Sequence, residues 1–185
     1  MSLNRWFKRL AVVVSMSTPF ASQGQEGAVT LGMEAPDFEL PLQDGSNFRL
    51  SSRRGVGWTV LYFYPKADTP GCTRQACAYR DGIRKIREEN TEVFGISTDS
   101  VDDIAKFHEK HHLSFNLLAD SGGRVTERYG VKMPLIPLAK RWTFIVDSSG
   151  VIRDINQDVD PATDASLVVE KLQRLKVEVS KTSRE

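Results

Sequence analysis

The clearest hydrophobic pattern lies in the middle of the chain and predicts a strand followed by a helix. Residues 58–64 form a short run of aromatic and β-branched side chains, which is typical of a buried strand. Pro65 ends this run, and residues 68–71 have the composition of a turn. From about Cys72 the apolar side chains recur at helical spacing, at positions 76, 79, 83 and 86. We therefore predict that Cys72 lies in the first turn of a helix that leaves the end of a central strand.

The pattern on either side of this unit predicts further strands and a helix. Residues 35–40 alternate, and residues 48–50 follow a turn, which predicts a small antiparallel hairpin. Residues 93–97 and 115–119 read as strands. Between them, the S-x-x-D sequence that starts at Ser100 predicts a capped helix.

The last third of the chain continues the alternation of helices and strands. A short helix is predicted at 124–129, where Gly130 closes it. Residues 142–146 and 151–155 flank a turn and read as a hairpin. Asp160-Pro161 is typical of a helix start, and an amphipathic pattern follows it.

These elements together predict an α/β fold with a central mixed β-sheet flanked by helices, preceded by an N-terminal β-hairpin. We expect one domain over residues 29–178, followed by a C-terminal tail at 179–185. The sequence shows no internal repeat and no interdomain linker.

The first 24 residues have a different composition from the rest. Arg5, Lys8 and Arg9 precede the apolar segment 10–16, and small residues follow it, which is the layout of a secretory signal peptide. Cleavage after Ala21 or Gly24 would then place the mature protein in the periplasm or another exported compartment. An unprocessed disordered extension and a transit peptide stay open as alternatives, the first with a cytoplasmic location.

Bulk composition narrows the classes of function. The 185 residues carry a formal net charge of +1, and no basic cluster follows residue 10, so nothing indicates nucleic-acid binding. No run of 18 apolar residues occurs, so we expect no membrane span in the mature chain.

The two cysteines, Cys72 and Cys77, favour redox chemistry. A disulfide across five residues closes too small a loop to stabilise the fold much, so a structural bond is a weak alternative. At a helix start, by contrast, unpaired N–H groups and the helix dipole favour a thiolate.

Pro65, Thr69 and Cys72 reproduce the P-x-x-x-T-x-x-C signature, and through it the chain resembles the peroxiredoxins. The second cysteine, within T-P-G-C-T-R-Q-A-C, is similar to the peroxiredoxin Q, or bacterioferritin comigratory protein, subgroup. The resemblance covers about residues 31–175 and implies a thioredoxin-like fold with thiol-dependent reduction of peroxides.

The resemblance also implies a role for each cysteine and for the partners. Cys72 would attack the peroxide and become a sulfenic acid, which Cys77 would resolve as an intramolecular disulfide. A thioredoxin-family protein would reduce that disulfide, with no organic cofactor and no metal. We expect a monomer or a weakly associated protein.

The energetics of the thiolate call for a cation. A free thiol is only a few per cent ionised at pH 7, and lowering its pKa to about 6 takes about 3.4 kcal/mol. A helix terminus supplies at best about 2 kcal/mol. Arg141 opens the sequence Arg-Trp-Thr-Phe, which matches the R-x-[ST]-F pattern of the family's active-site arginine. We predict that Arg141 stabilises the thiolate and polarises the peroxide; the alternative is a surface arginine at a strand end.

Thr69 and Pro65 are the remaining candidate site residues. The Thr69 hydroxyl can both donate and accept hydrogen bonds, so it could orient the peroxide or the thiolate, or cap the helix. Pro65 is expected to fix the loop and exclude water rather than to react.

Other features favour weaker alternatives. His108, His111 and His112 fall at helical spacing, but too few ligands accompany them to predict a metal site. The apolar, proline-interrupted segment 131–138 either walls the site, receives a partner or packs on its own domain. It is the one hint of a holdase-type chaperone. A thiol–disulfide oxidoreductase is the third possible function, although the C-x₄-C spacing argues against thioredoxin-type exchange.

Overall fold

The structure is a computed structural model that describes residues 29–182. The predicted signal peptide, residues 1–24, and the last three residues of the predicted tail lie outside the described residues. The strands are β1 (Glu39–Pro41), β2 (Asn47–Arg49), β3 (Trp58–Phe63), β4 (Thr91–Ser97), β5 (Asn116–Ala119), β6 (Trp142–Val146) and β7 (Ile152–Asn156). The helices are α1 (Pro70–Glu88), α2 (Val101–Lys110), α3 (Arg124–Arg128) and α4 (Asp164–Thr182).

Five strands form one mixed sheet in the order β5-β4-β3-β6-β7. Strands β3, β4 and β5 run parallel, whereas β6 runs antiparallel to both β3 and β7. The first two strands form a separate antiparallel hairpin. The predicted α/β class, the mixed sheet and the N-terminal hairpin are therefore confirmed.

Strand β3 lies at the centre of the sheet and is buried on both faces. Val60 and Tyr62 join an apolar cluster with α1, α2 and α4. Leu61 and Phe63 point into a second cluster with the N-terminal hairpin and α3. A strand covered on both sides has no solvent face, which explains why its sequence is continuously apolar rather than alternating.

A local signal in the sequence sets the start of α2. The predicted cap of α2 is present, because the Ser100 hydroxyl accepts a hydrogen bond from the Asp103 amide at 3.2 Å. The last helix differs from the prediction. Asp160 accepts a hydrogen bond from the Ala162 amide at 2.7 Å and forms a turn, so α4 begins only at Asp164. It then continues to Thr182, past the predicted domain end at 178.

The three histidines take separate roles near the end of α2. His108 Nε2 lies 3.1 Å from the Phe115 carbonyl oxygen, and His111 Nε2 lies 2.9 Å from Asp68 Oδ1. His112 takes a left-handed backbone conformation with φ of 50° just after the helix. Within residues 29–182, no group of three histidine, cysteine or acidic side chains is placed to hold a metal ion.

No helix within residues 29–182 has the length and apolar character needed to cross a membrane.

His108 makes the stability of the fold depend on pH. Burial lowers the pKa of His108 below its usual 6.5, so the unfolded chain binds this proton more readily than the folded one. Stability should therefore fall as the pH drops through 6.5 towards the folded-state pKa. We expect urea unfolding at pH 7 and pH 5 to show this loss, and His108→Gln to reduce it.

The matched control is His112→Asn, because His112 is exposed and asparagine tolerates a left-handed backbone. This variant should keep the wild-type difference between the two pH values. An equal loss of stability in His108→Gln and the wild type would show that His108 does not carry the effect.

Candidate active site

Cys72 lies in the first turn of α1, as the sequence predicts. Thr69 is the residue before the helix, and Pro70 is its first residue. Proline suits this position because its missing N–H would have no partner there. The Cys72 side chain is only 1% exposed, and the structure holds both cysteines as free thiols. A buried thiol at the positive end of a helix can be ionised only where nearby groups compensate its charge.

Asp99, two residues after β4, holds the loop that precedes α1. Its carboxylate accepts hydrogen bonds from the Ala67 amide and the Ser97 hydroxyl, both at 2.8 Å. Lys66 Nζ pairs with the same carboxylate at 3.1 Å, which raises the pKa of Lys66. Because Asp99 itself is buried, these bonds fix the path of the loop between strand and helix.

A second set of hydrogen bonds connects this loop to the end of α2. Asp68 takes a left-handed conformation with φ of 59°. Its carboxylate contacts Lys110 Nζ at 2.6 Å and His111 Nε2 at 2.9 Å. These two hydrogen bonds, first that from His111 and then that from Lys110, lower the pKa of Asp68. The loop is thus held from both sides before the helix begins.

Arg141 places a positive charge beside the Cys72 sulfur. Since β6 runs antiparallel to β3, with Trp142 opposite Phe63, the residue before β6 lies where the chain leaves β3. Arg141 Nη2 lies 3.3 Å from Cys72 Sγ. A Cβ atom on residue 71 would stand 3.2 Å from the same Nη2 atom, so Gly71 leaves the guanidinium room to reach the sulfur. Two residues 69 positions apart in sequence meet in one contact.

Thr69 and Pro65 lie in the same loop, and neither makes a hydrogen bond to the Cys72 sulfur. The Thr69 hydroxyl donates to the Lys66 carbonyl at 3.0 Å and makes no side-chain cap of the helix. Its oxygen keeps the capacity to accept a further hydrogen bond. Pro65 is half-buried and follows Tyr64, whose amide makes a bond at 3.0 Å to the Ile96 carbonyl. Proline has no N–H to extend this pairing, so the strand ends there.

Two buried polar residues, absent from the sequence-based prediction, support Arg141. Gln75 Oε1 accepts from Arg141 Nη1 at 2.6 Å, and Gln75 Nε2 donates to Asp164 Oδ2 at 2.8 Å. The same Asp164 oxygen accepts from the Tyr79 hydroxyl at 2.7 Å and the Thr143 hydroxyl at 2.8 Å. Burial, and after it the Asp164 charge, raises the pKa of Tyr79 well above its usual value, so this phenol stays a donor.

One of these residues carries a sequence signal, and the other does not. Gln75 lies on the apolar face of α1, next to Ala76 and one turn before Tyr79, and a polar residue on such a face needs a partner. Asp164 is the first residue of α4, where acidic residues are common because they favour the helix dipole. Nothing in the sequence shows that its side chain turns inward.

Cys77 lies within the same helix and is half-buried. Positions i and i+5 of an ideal helix are about 8.7 Å apart at Cα and face about 140° away from each other. A disulfide needs a Cα separation of about 4.4–6.8 Å. The two cysteines therefore cannot bond while both remain in α1.

The apolar segment 131–138 is anchored at its ends and exposed at its tip. Val131 is fully buried, and Lys132 pairs with Ala139 in a short antiparallel bridge. The side chains at the tip point outward, since Leu135 is 96% exposed and Ile136 is 48% exposed. Both of its ends therefore pack on the domain, and the tip lies in solvent.

Comparison with known proteins places this geometry in a family. The AhpC/TSA family matches residues 31–155. The chain is 37% identical over 172 residues to the chloroplastic peroxiredoxin Q of Sedum lineare, and the match covers 92% of each protein. It is 39% identical to the putative peroxiredoxin bcp of Coxiella burnetii over 131 residues, which are 68% of this chain and 86% of that protein.

Solved structures show the same relationship. Peroxidoxin BcpB from Mycobacterium tuberculosis superimposes with a TM-score of 0.73 at 38% identity, over 78% of this chain and 96% of that one. The bacterioferritin comigratory protein of Xanthomonas campestris gives 0.71 at 25% identity, over 74% and 90%. The thioredoxin-like fold is therefore confirmed. The chain belongs to the AhpC/TSA family and, within it, to the peroxiredoxin Q, or bacterioferritin comigratory protein, group.

Proposed function

We propose that the protein reduces hydrogen peroxide and organic hydroperoxides with Cys72 as the nucleophile, and recovers through Cys77 and a thioredoxin-family reductant. Its relatives support the coarser statement, a thiol-dependent peroxidase. The observation that carries the proposal is the contact of 3.3 Å between Arg141 and the buried Cys72 sulfur. The solved Xanthomonas campestris relative is described by its alkyl peroxide reduction activity, which supports organic hydroperoxides as substrates here.

The reaction proceeds in two chemical steps. The Cys72 thiolate attacks one peroxide oxygen, the O–O bond breaks, and the other oxygen leaves and takes a proton as alcohol or water. Cys72 is then a sulfenic acid. The Cys77 thiol attacks its sulfur, an S–S bond forms, and the sulfenic oxygen leaves as water. A reduced dithiol protein returns both electrons by disulfide exchange.

Arg141 acts on both partners of the first step. Its guanidinium stays charged at any physiological pH, so it stabilises the Cys72 thiolate before the reaction. The same planar group has several N–H donors, and those not used on Cys72 and Gln75 are available to the peroxide oxygens as negative charge develops on the leaving oxygen. Gln75 fixes the other edge of the guanidinium through the bond of 2.6 Å.

Thr69 and Pro65 shape the approach to the sulfur. Because the Thr69 hydroxyl proton is already donated to the Lys66 carbonyl, its oxygen is oriented to accept from a hydroperoxide O–H. Pro65 holds the entrance of the loop rigid and presents no N–H to water.

The helix must open for the second step, since the two cysteines of α1 cannot bond in place. The first turns would unwind, with loss of the Arg141–Cys72 and Gln75–Asp164 bonds. The closed helix then builds the reactive thiolate, and the open segment forms the disulfide and presents it to the reductant.

The first prediction concerns the two cysteines. Cys72→Ser should abolish peroxide consumption with thioredoxin and thioredoxin reductase, because no nucleophile remains. Cys77→Ser should give one rapid oxidation per chain in stopped-flow experiments and then stall, since the sulfenic acid has no resolving thiol. Equal residual turnover in both variants would contradict the assignment.

The second prediction concerns Arg141. Arg141→Ala should slow the first oxidation roughly ten- to hundredfold, as expected for the loss of a hydrogen bond to a charged group worth about 1.5–3 kcal/mol. The loss should exceed the drop in thiolate fraction at the same pH, because the variant also lacks the donor for the leaving oxygen.

Arg84→Ala is the matched control, since Arg84 is an exposed arginine of α1, the helix that carries Cys72, and within residues 29–182 its ion-pair partner is Glu88. It changes the net charge equally and should oxidise at the wild-type rate. A rate for Arg141→Ala equal to that of this control would remove Arg141 from the site.

The third prediction concerns the opening of α1. Amide exchange over residues 71–79 should rise sharply when the protein is oxidised to the disulfide and fall again on reduction. Cys77→Ser, which cannot form the disulfide, should show no such sustained rise after one equivalent of peroxide. Equal protection in the reduced and disulfide forms would refute the opening step.

A further inference from the structure

Asp164 is a buried carboxylate whose position in the site calls for an explanation. Its side chain is 1% exposed, and three neutral donors converge on Oδ2, from Gln75, Tyr79 and Thr143. Its other oxygen, Oδ1, has no hydrogen-bond partner within residues 29–182. Burying a carboxylate in this way is costly, so a fold has little reason to keep it for stability alone.

The geometry of Gln75 shows what the carboxylate does. A glutamine amide has one donor end and one acceptor end. With Nε2 bound to Asp164, Oε1 must face the other way, and there it accepts from Arg141 Nη1. The reverse orientation would put the amide oxygen against the carboxylate and the NH₂ group against the guanidinium, so both contacts would be repulsive. Asp164 therefore selects the orientation of Gln75 that holds Arg141.

We propose that Asp164 is a positioning residue, which keeps Arg141 against Cys72 by fixing the orientation of the Gln75 amide. This inference rests on the proposed function, in which Arg141 stabilises the Cys72 thiolate. The pathway is continuous: Asp164 Oδ2 to Gln75 Nε2 is 2.8 Å, Gln75 Oε1 to Arg141 Nη1 is 2.6 Å, and Arg141 Nη2 to Cys72 Sγ is 3.3 Å.

The direction in which the Cys72 thiolate population changes distinguishes a positioning role of Asp164 from a purely electrostatic one. Asp164 is a negative charge near the sulfur, so removing that charge alone would favour the thiolate and raise its population. Removing the group that orients Gln75 would instead loosen Arg141 and lower the thiolate population. A merely structural role would leave the population unchanged in the folded protein.

The experiment uses the full chain with Cys77→Ser, which leaves Cys72 as the sole thiol. The readout is the rate of alkylation by iodoacetamide at pH 7, together with thiolate absorbance as a function of pH. Asp164→Ala should slow alkylation about tenfold, as expected for the loss of an oriented, charge-assisted contact. Asp164→Asn keeps an acceptor for Gln75 and removes the charge, so it should react at the wild-type rate or faster.

Three further variants make the outcome decisive. Val168→Ala makes a cavity in the same helix and removes no hydrogen-bonding group, so it should leave alkylation unchanged although it destabilises the fold. If Asp164→Ala does not fold, Asp164→Ser replaces it, because its hydroxyl is too short to reach Gln75 and it should show the same tenfold loss. In a Gln75→Leu background, removal of the Asp164 carboxylate should produce no further slowing of alkylation, since the amide that links Asp164 to Arg141 is already absent.

Faster alkylation in Asp164→Ala, or a rate equal to that of Val168→Ala, would overturn the proposal. So would an Asp164→Asn variant as slow as Asp164→Ala, because the acceptor would then not be the active feature. These readouts need no peroxide. A protein that fails to reduce peroxides would refute the proposed function and still give a clear result on the role of Asp164.

Discussion

The contact between the Arg141 guanidinium and the Cys72 sulfur is the interaction on which the site depends. A buried thiol is poorly ionised, and the helix terminus alone contributes at best about 2 kcal/mol of the stabilisation needed. The positive charge of Arg141 is placed to supply further stabilisation. The sheet topology puts it there, because an antiparallel β6 beside β3 carries Arg141 to the end of the strand from which the Cys72 loop departs. Gly71 then allows the close approach. The antiparallel direction of β6 is thus what places the guanidinium beside the sulfur.

The sequence predicted the elements that rest on local or periodic signals. The buried strand β3, the helix that starts beside Cys72 and the capped helix at Ser100 follow from apolar spacing, proline and side-chain caps, and the structure has them within a few residues. The start of the last helix was wrong by about one turn, because Asp160 bonds to its own neighbouring backbone and forms a turn first. Such competition between a local turn and a helix leaves little trace in the residue pattern.

The sequence predicted a site residue only where the residue type, or a short motif around it, indicates a chemical role. The two cysteines near a helix start can be recognised directly from the sequence. Arg141 can be recognised because it begins the short pattern R-x-[ST]-F. Gln75 and Asp164 lie 89 residues apart, and their meeting depends on how α4 packs against α1. No local rule encodes a pairing of that kind, since it is a property of the tertiary fold rather than of either segment.

The network around Arg141 also suggests how the two catalytic steps are ordered. In the proposed mechanism Arg141 binds a negatively charged sulfur before the reaction, and a charge-assisted hydrogen bond is worth about 1.5–3 kcal/mol. Oxidation converts the thiolate to a neutral sulfenic acid, so the attraction between two opposite charges is lost although the guanidinium itself stays charged. In this mechanism the first turns of α1 therefore lose part of their anchorage once the peroxide has been reduced, and the Gln75–Asp164 bond, which breaks as the helix opens, re-forms with the helix on reduction. We expect the helix to stay closed until the sulfur is oxidised, because the contact that builds the nucleophile is also the one that its own reaction weakens.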